Sequence, residues 1–462
     1  MYIEQLYTNC LAEAAYYIES EGEAAIVDPI RETDSYIEMA ASRGAKIKYV
    51  FETHVHADFV SGHLDLAAAT GAEIVFGPDA ETSYAVHEAR DGEIFQIGKI
   101  TIEALHTPGH TPESTCYLLR DGSGTPKAIF TGDTLFVGDV GRPDLLGGTM
   151  TKEQLASMAY DSMQRLKSLP DDITVYPAHG PGSACGKNIG KETWSTLGVQ
   201  KKTNYALQKM TREAFVAELT NGLPTPPQYY FDDAKINKHG YAPLADVLTK
   251  NVHALTLSEF ESAIKDGALV LDTRDPDAFE AGYIPNAMNI GLDNKYAWWA
   301  GTLISISTPL AIVAPAGREE ESVRRLARIG YENVRGYLEG GFETWLNAGK
   351  PVDTVTSIDP DKFADARAAG PQVLDVRKVD EYETAHIEGA KLIPLAELES
   401  RLAELDPTRE YLVHCAAGYR SMVAASIMHR HNFEHITNVR GGFSKMKSVV
   451  PELVVSGEEA IL

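Results

Sequence analysis

Cysteine and tryptophan are both scarce in this sequence of 462 residues, which contains four of each. Four cysteines are too few for a disulfide framework in so long a chain, so we expect free thiols and a reducing, cytoplasmic environment. No run of about eighteen apolar residues occurs, which argues against a membrane span. The N-terminus also lacks a basic segment followed by an apolar core, so we expect no signal peptide.

Positive charge is the next shortage. The sequence has 42 Lys and Arg against 66 Asp and Glu, which gives a formal net charge of −24. Such an excess of acid argues against nucleic acid or an anionic membrane as a main partner. The remaining composition, 44% hydrophobic and 23% charged, is that of a globular protein long enough for about three domains.

The order of patterns along the chain predicts where these domains lie. Strand-like and helix-like segments alternate over roughly the first 245 residues. A Pro- and Tyr-rich stretch, 223–231, followed by the polar 232–239, predicts a linker or an arm that leaves the first domain. Beyond it Val270–Arg274 (VLDTR) recurs as Val373–Arg377 (VLDVR) about 100 residues later. A repeat this long indicates duplicated domains rather than a solenoid. We therefore predict domains over residues 1–245, 246–355 and 356–462.

Histidine and aspartate are concentrated directly after the strand-like Tyr49–Phe51, at His54, His56 and Asp58. Further candidates follow in turns marked by glycine or proline, and they are His110, Asp133 and His179. Loops at strand ends are where α/β proteins aim functional side chains, and imidazole with carboxylate is a common metal-binding combination. Any one of these histidines alone is more simply structural, but the set predicts a metal site.

These residues resemble the His-x-His-x-Asp-His motif, later His, bridging Asp and final His of the metallo-β-lactamase superfamily. The resemblance implies an αββα sandwich over the first 245 residues, followed by the α/β repeats. One position departs from the motif, because Phe59 stands where the superfamily has its adjacent histidine. A phenyl ring donates no lone pair, so we expect a single metal in place of two.

A single-metal site of this kind looks like that of the persulfide dioxygenases, which the Thr131–Asp144 stretch (TGDTLFVGDVGRPD) also resembles. The resemblance implies one Fe(II) per chain, held by His54, His110 and Asp133. Two imidazoles and a carboxylate leave positions open for substrate and O2. The expected substrate is a persulfide of glutathione, coenzyme A or a similar thiol, and the products are sulfite and the thiol.

Other polar residues of this region are assigned supporting or substrate roles. His56 and Asp58 would orient the ligands or hydrogen-bond an iron-bound water, although His56 could instead be a fourth ligand. His179 is assigned to the same supporting group. Arg142 either anchors an anionic thiol carrier or forms an internal ion pair with Asp144. Cys185 lies in an irregular loop just after His179, where it either relays sulfur or simply fills space.

In the second copy of the repeat, a strand-like segment runs into Cys415, which is followed by a loop ending at Arg420 and by a helix-like segment. Backbone N–H groups and the helix dipole at such a position stabilise a thiolate. The segment resembles a rhodanese (sulfurtransferase) domain, and the six residues from Cys415 to Arg420 match rhodaneses, since the related phosphatases have one more. Cys415 and Arg420 are thus the predicted catalytic residues.

The first copy has no cysteine, because none occurs between Cys185 and Cys415. We therefore predict a catalytically silent domain used for packing, for dimerisation or for holding the two active units in register. We expect a homo-oligomer in which an iron-dependent dioxygenase is joined to sulfur transfer, so that sulfite and sulfur held on Cys415 could give thiosulfate. The alternative is a zinc-dependent thioester hydrolase of the glyoxalase II kind. A third reading, a sulfur carrier or sensor without the metal chemistry, leaves the histidine set unused.

Overall fold

The computed structural model describes residues 1–145 and 150–456. The chain divides into two compact units, the first formed by Met1–Val247 with Leu326–Tyr331 and the second by Leu248–Arg325 with Glu332–Leu462. None of the helices in the described residues is long and apolar enough to cross a membrane.

The first part of the chain contains two sheets and the helices that cover them. Its strands are β1 (Tyr2–Thr8), β2 (Glu13–Ser20), β3 (Glu23–Val27), β4 (Lys46–Phe51), β5 (Glu73–Phe76), β6 (His87–Glu88), β7 (Ile94–Ile97), β8 (Ile100–His106), β9 (Thr115–Arg120), β10 (Pro126–Gly132), β11 (Thr174–Pro177) and β12 (Ser195–Thr196). Its helices are α1 (Asp34–Arg43), α2 (His63–Thr70), α3 (Lys152–Lys167), α4 (Leu197–Thr203), α5 (Arg212–Thr220), α6 (Tyr230–His239) and α7 (Leu244–Asn251).

Strands β1 to β6 form one sheet in sequential order, and strands β12 to β7 form the other. Alternate residues of each strand face different layers, as the pleat requires. Tyr16 and Ile18 of β2 pack into the core between the two sheets, whereas Tyr17 packs against Tyr36 and Ala40 of α1. The opposite face of the second sheet is covered by α3 and α5. This αββα sandwich confirms the fold class expected from the sequence.

In the described residues, the rest of the chain contains two five-stranded sheets and one two-stranded sheet. Its strands are β13 (Ala254–Leu255), β14 (Leu269–Asp272), β15 (Met288–Asn289), β16 (Leu310–Val313), β17 (Val334–Leu338), β18 (Thr356–Ile358), β19 (Gln372–Asp375), β20 (Ala385–Ile387), β21 (Lys391–Leu392), β22 (Tyr411–His414), β23 (Ile436–Val439) and β24 (Val454–Ser456). Its helices are α8 (Leu257–Lys265), α9 (Pro276–Ala281), α10 (Tyr296–Leu303), α11 (Glu319–Ala327), α12 (Gly341–Asn347), α13 (Phe363–Ala368), α14 (Val379–Thr384), α15 (Leu398–Arg401), α16 (Tyr419–Arg430) and α17 (Gly442–Val449).

The two five-stranded sheets have the same parallel topology, with strand orders β13-β17-β16-β14-β15 and β18-β23-β22-β19-β21. The repeated VLDTR and VLDVR motifs end the equivalent strands β14 and β19. In each copy the motif arginine pairs with the buried motif aspartate at 2.6 Å, and its guanidinium lies over a phenylalanine ring at 4.1 or 4.0 Å. The sequence repeat therefore reports a duplicated fold whose shared residues are structural.

The prediction of a linker at 223–239 is wrong. Tyr229 and Tyr230 are buried, and residues 230–239 form α6. Asn237 of this helix is buried as well, and its side-chain amide donates hydrogen bonds to two backbone carbonyls elsewhere in the first unit. Polar composition suggested a solvated segment, but here the polar atoms are used internally.

Candidate metal centre and cysteine loop

The loop after β4 carries His54, and a short chain of hydrogen bonds orients its ring. Asp28, at the end of β3, accepts hydrogen bonds from the backbone N–H (2.7 Å) and the hydroxyl (2.8 Å) of Thr53. The Thr53 oxygen in turn lies 2.9 Å from Nδ1 of His54. Because the hydroxyl hydrogen is given to Asp28, the oxygen accepts from Nδ1–H, which leaves the lone pair on Nε2.

His110, in the turn between β8 and β9, is held in the same tautomer. Its Nδ1–H donates to the backbone carbonyl of Arg142 at 2.8 Å, so Nε2 is again the atom with the free lone pair. The rings of His54 and His110 lie 4.9 Å apart at an interplanar angle of 88°. The planes of the two imidazoles are therefore nearly perpendicular.

Asp133 follows β10 and completes the group. Its Oδ2 atom is buried without a hydrogen-bond partner, 3.5 Å from Nε2 of His110 and 3.9 Å from Nε2 of His54. The ligand atoms of the three residues all lie within 4.8 Å of one another. A buried carboxylate oxygen without a partner is costly, and two nitrogen lone pairs face it, so the arrangement fits a metal ion.

The electrostatics agree with a ligand set. Burial lowers the pKa of His54 well below its ordinary value, so its imidazole is neutral and can donate a lone pair. Burial opposes ionisation of Asp133, but the neighbouring His179, His54 and His110 outweigh it and lower the pKa of this carboxyl. The Asp133 carboxylate and the neutral His54 imidazole are thus available as donors at neutral pH.

His179 lies beside this group with both ring nitrogens engaged. Its Nδ1 is 2.7 Å from Oδ1 of Asp133, and its Nε2 is 2.8 Å from Oδ2 of Asp58. Burial opposes protonation, but the two carboxylates raise the pKa of His179 well above its ordinary value. A protonated ring that donates to both carboxylates has no lone pair to offer a second metal.

Phe59 and His56 occupy the neighbouring positions. The Phe59 ring is fully buried and lies 4.4 Å from the His56 ring, so it contributes packing and no donor atom. Nε2 of His56 lies 3.1 Å from Asp28 and 3.4 Å from Glu52, and these three form a buried cluster separate from the His54 group. This placement favours the orienting role for His56 over that of a fourth ligand.

Arg142 is placed by the structure as an internal residue. Its guanidinium is buried, pairs with both carboxylate oxygens of Asp144 at 2.7 and 2.8 Å, and also donates to the carbonyls of Ala184 and Pro224. The guanidinium has hydrogen-bond partners on every side, so the role of substrate anchor is not supported. Arg142 instead forms the alternative, an internal ion pair with Asp144. The arginine acts on the site through its backbone, which binds His110.

Cys185 is brought to the same region. It is buried, and its sulfur groups with carboxylate and ring atoms of Asp58 and His179 within 4.8 Å. Burial raises the pKa of its thiol well above the ordinary value, and the nearby carboxylates of Asp58 and Asp133 add to this effect. The group is therefore a neutral thiol, and its role in sulfur transfer stays a prediction.

Two contributors were missed by sequence reasoning. Asn237 of α6 donates to the carbonyls of His56 and Phe59, both at 2.8 Å, and accepts from the N–H of Ser61 at 3.0 Å. Thr53 orients His54, as described above. The only sequence signal for Thr53 was its position inside the motif, and Asn237 had none, because its distance along the chain from the motif hides the contact.

In the second unit, Cys415 lies between β22 and α16, with its side chain buried. The N–H of Gly418 points at Sγ from 3.1 Å, and the Ser421 hydroxyl lies 3.6 Å away. Gly418 has φ of 105°, a conformation that favours glycine and turns the N–H inward. The loop therefore presents one backbone donor, the Gly418 N–H, to the sulfur, as expected for a site that stabilises a thiolate.

Arg420 ends the loop and pairs with Glu381 through two hydrogen bonds of 2.6 and 2.8 Å. Burial opposes the charge of Arg420, but the hydrogen bonds to Glu381 outweigh it and raise the pKa of Arg420. The pair therefore places a charged guanidinium beside the loop. The equivalent loop of the first copy has Pro315–Glu319 and no thiol, and its Arg318 pairs with Asp293 and Glu321. Of the two rhodanese-like copies, only the last has a cysteine.

Family profiles match both parts of the chain. The profile described as Metallo-beta-lactamase superfamily matches residues 8–179, and that described as Rhodanese-like domain matches residues 256–348 and 359–448. A metallo-beta-lactamase from Staphylococcus aureus subsp. aureus COL is 34% identical, with a TM-score of 0.65 over 73% of this chain and 98% of that one. The chain belongs to the metallo-β-lactamase superfamily and carries rhodanese-like domains after the sandwich.

Curated relatives of the first domain are named as hydrolases. A probable hydroxyacylglutathione hydrolase of Schizosaccharomyces pombe is 36% identical over 34% of this chain, and a hydroxyacylglutathione hydrolase of Rhodopseudomonas palustris is 32% identical over 43% of it. The chain spans 58% of the length of the first and 70% of the second. These matches concern the metal-binding domain and leave the rhodanese-like domains aside.

Proposed function

We propose that the first domain is an Fe(II)-dependent persulfide dioxygenase and that the last domain is a sulfurtransferase. The dioxygenase reaction would convert a persulfide, R–S–SH, with O2 and water into the thiol R–SH and sulfite with its protons. The expected persulfide is that of glutathione, coenzyme A or a similar small thiol. The proposal includes domain boundaries at 245/246 and 355/356, a cytoplasmic setting and a homo-oligomer.

The observation that carries this proposal is the unpaired, buried Oδ2 of Asp133, which faces the Nε2 atoms of His54 and His110. Around it, both nitrogens of His179 are held by carboxylates and Phe59 provides no donor. The side chains thus favour one metal with three protein ligands. Two imidazoles and one carboxylate, with other positions open, are the ligands of many non-haem Fe(II) oxygenases.

Bound iron would supply open coordination positions at which a persulfide sulfur and O2 can be brought together. The chain's own residues set the conditions for this. Thr53 and the Arg142 carbonyl keep His54 and His110 in the metal-binding tautomer, and burial of the group excludes bulk water. His179 compensates the charge of Asp58, which would otherwise be a buried carboxylate beside the site.

The two activities are chemically compatible. Sulfite is a nucleophile, and the outer sulfur of a persulfidated Cys415 is electrophilic. Attack of sulfite on that sulfur forms an S–S bond, releases the Cys415 thiolate and yields thiosulfate, with no outside oxidant or reductant. The inward N–H of Gly418 stabilises the departing thiolate.

A second candidate is a zinc-dependent hydroxyacylglutathione hydrolase with a sulfur-carrier domain, which the names of the curated relatives favour. That chemistry uses a metal-activated water, commonly held between two metals. In the described residues, the second position would have to be built from Asp58, His179 and Cys185. Both His179 and Cys185 have a raised pKa, so each would first have to lose a proton. We therefore rank the dioxygenase first.

Metal analysis and O2 uptake with glutathione persulfide and coenzyme A persulfide test the proposal on the full chain. We expect about one iron per chain, persulfide-dependent O2 uptake, and loss of both in His110→Ala. His106→Ala is the matched control. His106 lies near His110 in sequence, but its ring nitrogen hydrogen-bonds the Pro112 carbonyl and does not face the metal group. About two zinc ions per chain with hydrolysis of S-lactoylglutathione would overturn the dioxygenase assignment.

The sulfurtransferase part is tested separately with Cys415→Ser. This variant should keep its O2 uptake while its ratio of sulfite to thiosulfate rises, since no thiol remains in the last domain to hold sulfur. Loss of O2 uptake in Cys415→Ser would contradict two independent sites.

A further inference from the structure

The loop that holds Cys415 rests on the first turns of two helices. The N–H of Phe443 donates to the carbonyl of Cys415 at 2.7 Å, and that of Ser444 donates to the carbonyl of Ala416 at 2.9 Å. These bonds from α17 turn the loop carbonyls away from the sulfur. The loop N–H groups can then face inward, as that of Gly418 does.

The approach of α17 to the loop leaves little room for adjustment. A Cβ atom added to Gly442 would lie 2.3 Å from the carbonyl oxygen of Cys415. Gly418 and Gly442 also have positive φ, at 105° and 52°. The position of the Gly418 N–H that faces Sγ is thus set by the backbone. A displacement of the start of α16 or of α17 would move this N–H.

Both supports are attached to the cysteine-free domain of the same unit. Tyr419 directly follows Gly418, and its hydroxyl donates to the carbonyl of Gly291 at 3.1 Å. The Tyr419 ring packs closely on Gly291, because Cε2 lies 3.6 Å from where a Cβ atom would be. Two turns along α16, the Ser426 hydroxyl accepts from the N–H of Asn289 at 3.1 Å.

The start of α17 is attached in a similar way. Arg440, two residues before Gly442, forms an ion pair with Glu280 of α9, and Glu280 also accepts from the Ser357 hydroxyl at 2.6 Å. Segments around residues 280–291 of the silent domain therefore reach both elements that shape the Cys415 loop. Contacts to the starts of both α16 and α17 are more than a purely space-filling domain would require.

We propose that the cysteine-free domain positions the Cys415 loop for sulfur transfer, and that Tyr419, anchored on the Gly291 carbonyl, is the main positioning residue. Tyr419 is next to Gly418 in the chain, so its hydroxyl bond restrains the direction of the N–H that faces Sγ. The proposal rests on the sulfurtransferase activity assigned to Cys415. It gives the silent domain a role in the reaction, although it holds no reacting group.

Tyr419→Phe removes only the hydroxyl, and Tyr411→Phe is a matched control. Tyr411 lies in β22, the strand that leads to Cys415, but its hydroxyl binds the backbone of Asp406 within the last domain. Tyr419→Phe loses one hydroxyl bond to backbone and Tyr411→Phe loses two. They differ in whether the bond reaches the silent domain.

Two measurements on the full chain are informative. The first is sulfur transfer from thiosulfate to cyanide, with kcat and KM determined separately. The second is the pH dependence of iodoacetamide alkylation at Cys415, followed by mass spectrometry of the Cys415 peptide. A thermal unfolding curve of each variant accompanies both.

We expect Tyr419→Phe to lower kcat about fivefold to twentyfold with little change in KM, and to move half-maximal alkylation of Cys415 to higher pH. Tyr411→Phe should change neither, whatever its effect on thermal stability. Ser426→Ala, which removes the second contact, should lower kcat in the same direction by a smaller factor.

Equal kcat and equal alkylation profiles in Tyr419→Phe and wild type would overturn the positioning role. A decrease of the same size in Tyr411→Phe would also overturn it, because the effect would then follow general stability. If wild type itself transfers no sulfur, the sulfurtransferase proposal fails instead, and the alkylation profile still reports on the loop by itself.

Discussion

The hydroxyl oxygen of Thr53 lies 2.9 Å from Nδ1 of His54. The same hydroxyl donates to Asp28, so that a carboxylate, a hydroxyl and an imidazole form one buried chain. Such outer contacts fix the tautomer and the direction of a metal-binding histidine. Thr53 therefore orients a ligand of the candidate metal centre.

Replacing Thr53 by valine tests this task, because valine keeps the shape and loses the hydroxyl. We expect iron affinity to fall by about tenfold to a hundredfold, as is common when such outer contacts are removed. Competition with a chelator, followed by metal analysis, measures the change. Thr203→Val, which removes an exposed helix hydroxyl bond, should leave the affinity unaltered; unchanged affinity in Thr53→Val would contradict the orienting role.

The second prediction concerns the buried ion pair of Arg142 and Asp144. Arg142→Met should lower the free energy of unfolding of the first unit by roughly 3 kcal/mol, because it leaves a carboxylate and two carbonyls without their partner. Calorimetry of the full chain should show this as a lower melting temperature. Arg212→Met is the comparison, since Arg212 forms an equally bidentate but exposed pair with Asp161 and should cost less than about 1 kcal/mol.

Acid sensitivity gives a third prediction. Burial, with a smaller contribution from His56, lowers the pKa of His63 to about 3, whereas an exposed histidine titrates near 6.5. Between these values the unfolded chain binds a proton that the folded chain does not, so the free energy of unfolding falls as the pH falls. The slope from this group is at most about 1.4 kcal/mol per pH unit.

His63→Gln removes that titration and should flatten the loss of stability between pH 6 and 4. Denaturant unfolding at several pH values measures the slope. His239→Gln, at an exposed position of α6, serves as the control and should leave the slope as in wild type. An identical slope in His63→Gln would mean that His63 is not the group responsible.

The fourth prediction restores the residue that the superfamily motif has at position 59. Phe59→His places an imidazole beside Asp58. The Asp58 carboxylate, which binds His179, can then bind a metal ion as well. We expect zinc bound after reconstitution to rise from about one toward two ions per chain, as measured by metal analysis. Phe59→Leu, which adds no donor, should stay near one, and an equal rise in both variants would show that packing at this position controls the stoichiometry.

Sequence alone was sufficient for the fold class and for the residues that gather at the metal centre. Alternating apolar patterns and the VLDTR repeat are features of the sequence itself, so they can be recognised without the structure. The turns at strand ends marked His54, His110 and Asp133 as candidates, and the resemblance to the superfamily motif grouped them as ligands. The structure brings them together because β4 belongs to one sheet and β8 and β10 to the other, and the two sheets share a core. The absence of cysteine from the first repeat likewise needed no structure.

Tertiary structure decided what each polar group does there. Arg142 became an internal partner of Asp144, and His179 became a bridge between two carboxylates, because their neighbours come from distant parts of the chain. Asn237 was invisible as a contributor, since it lies about 180 residues from the loop that it holds. Burial and hydrogen-bond partners are properties of the packed molecule, so residue type and spacing could name the candidates but could not assign their roles.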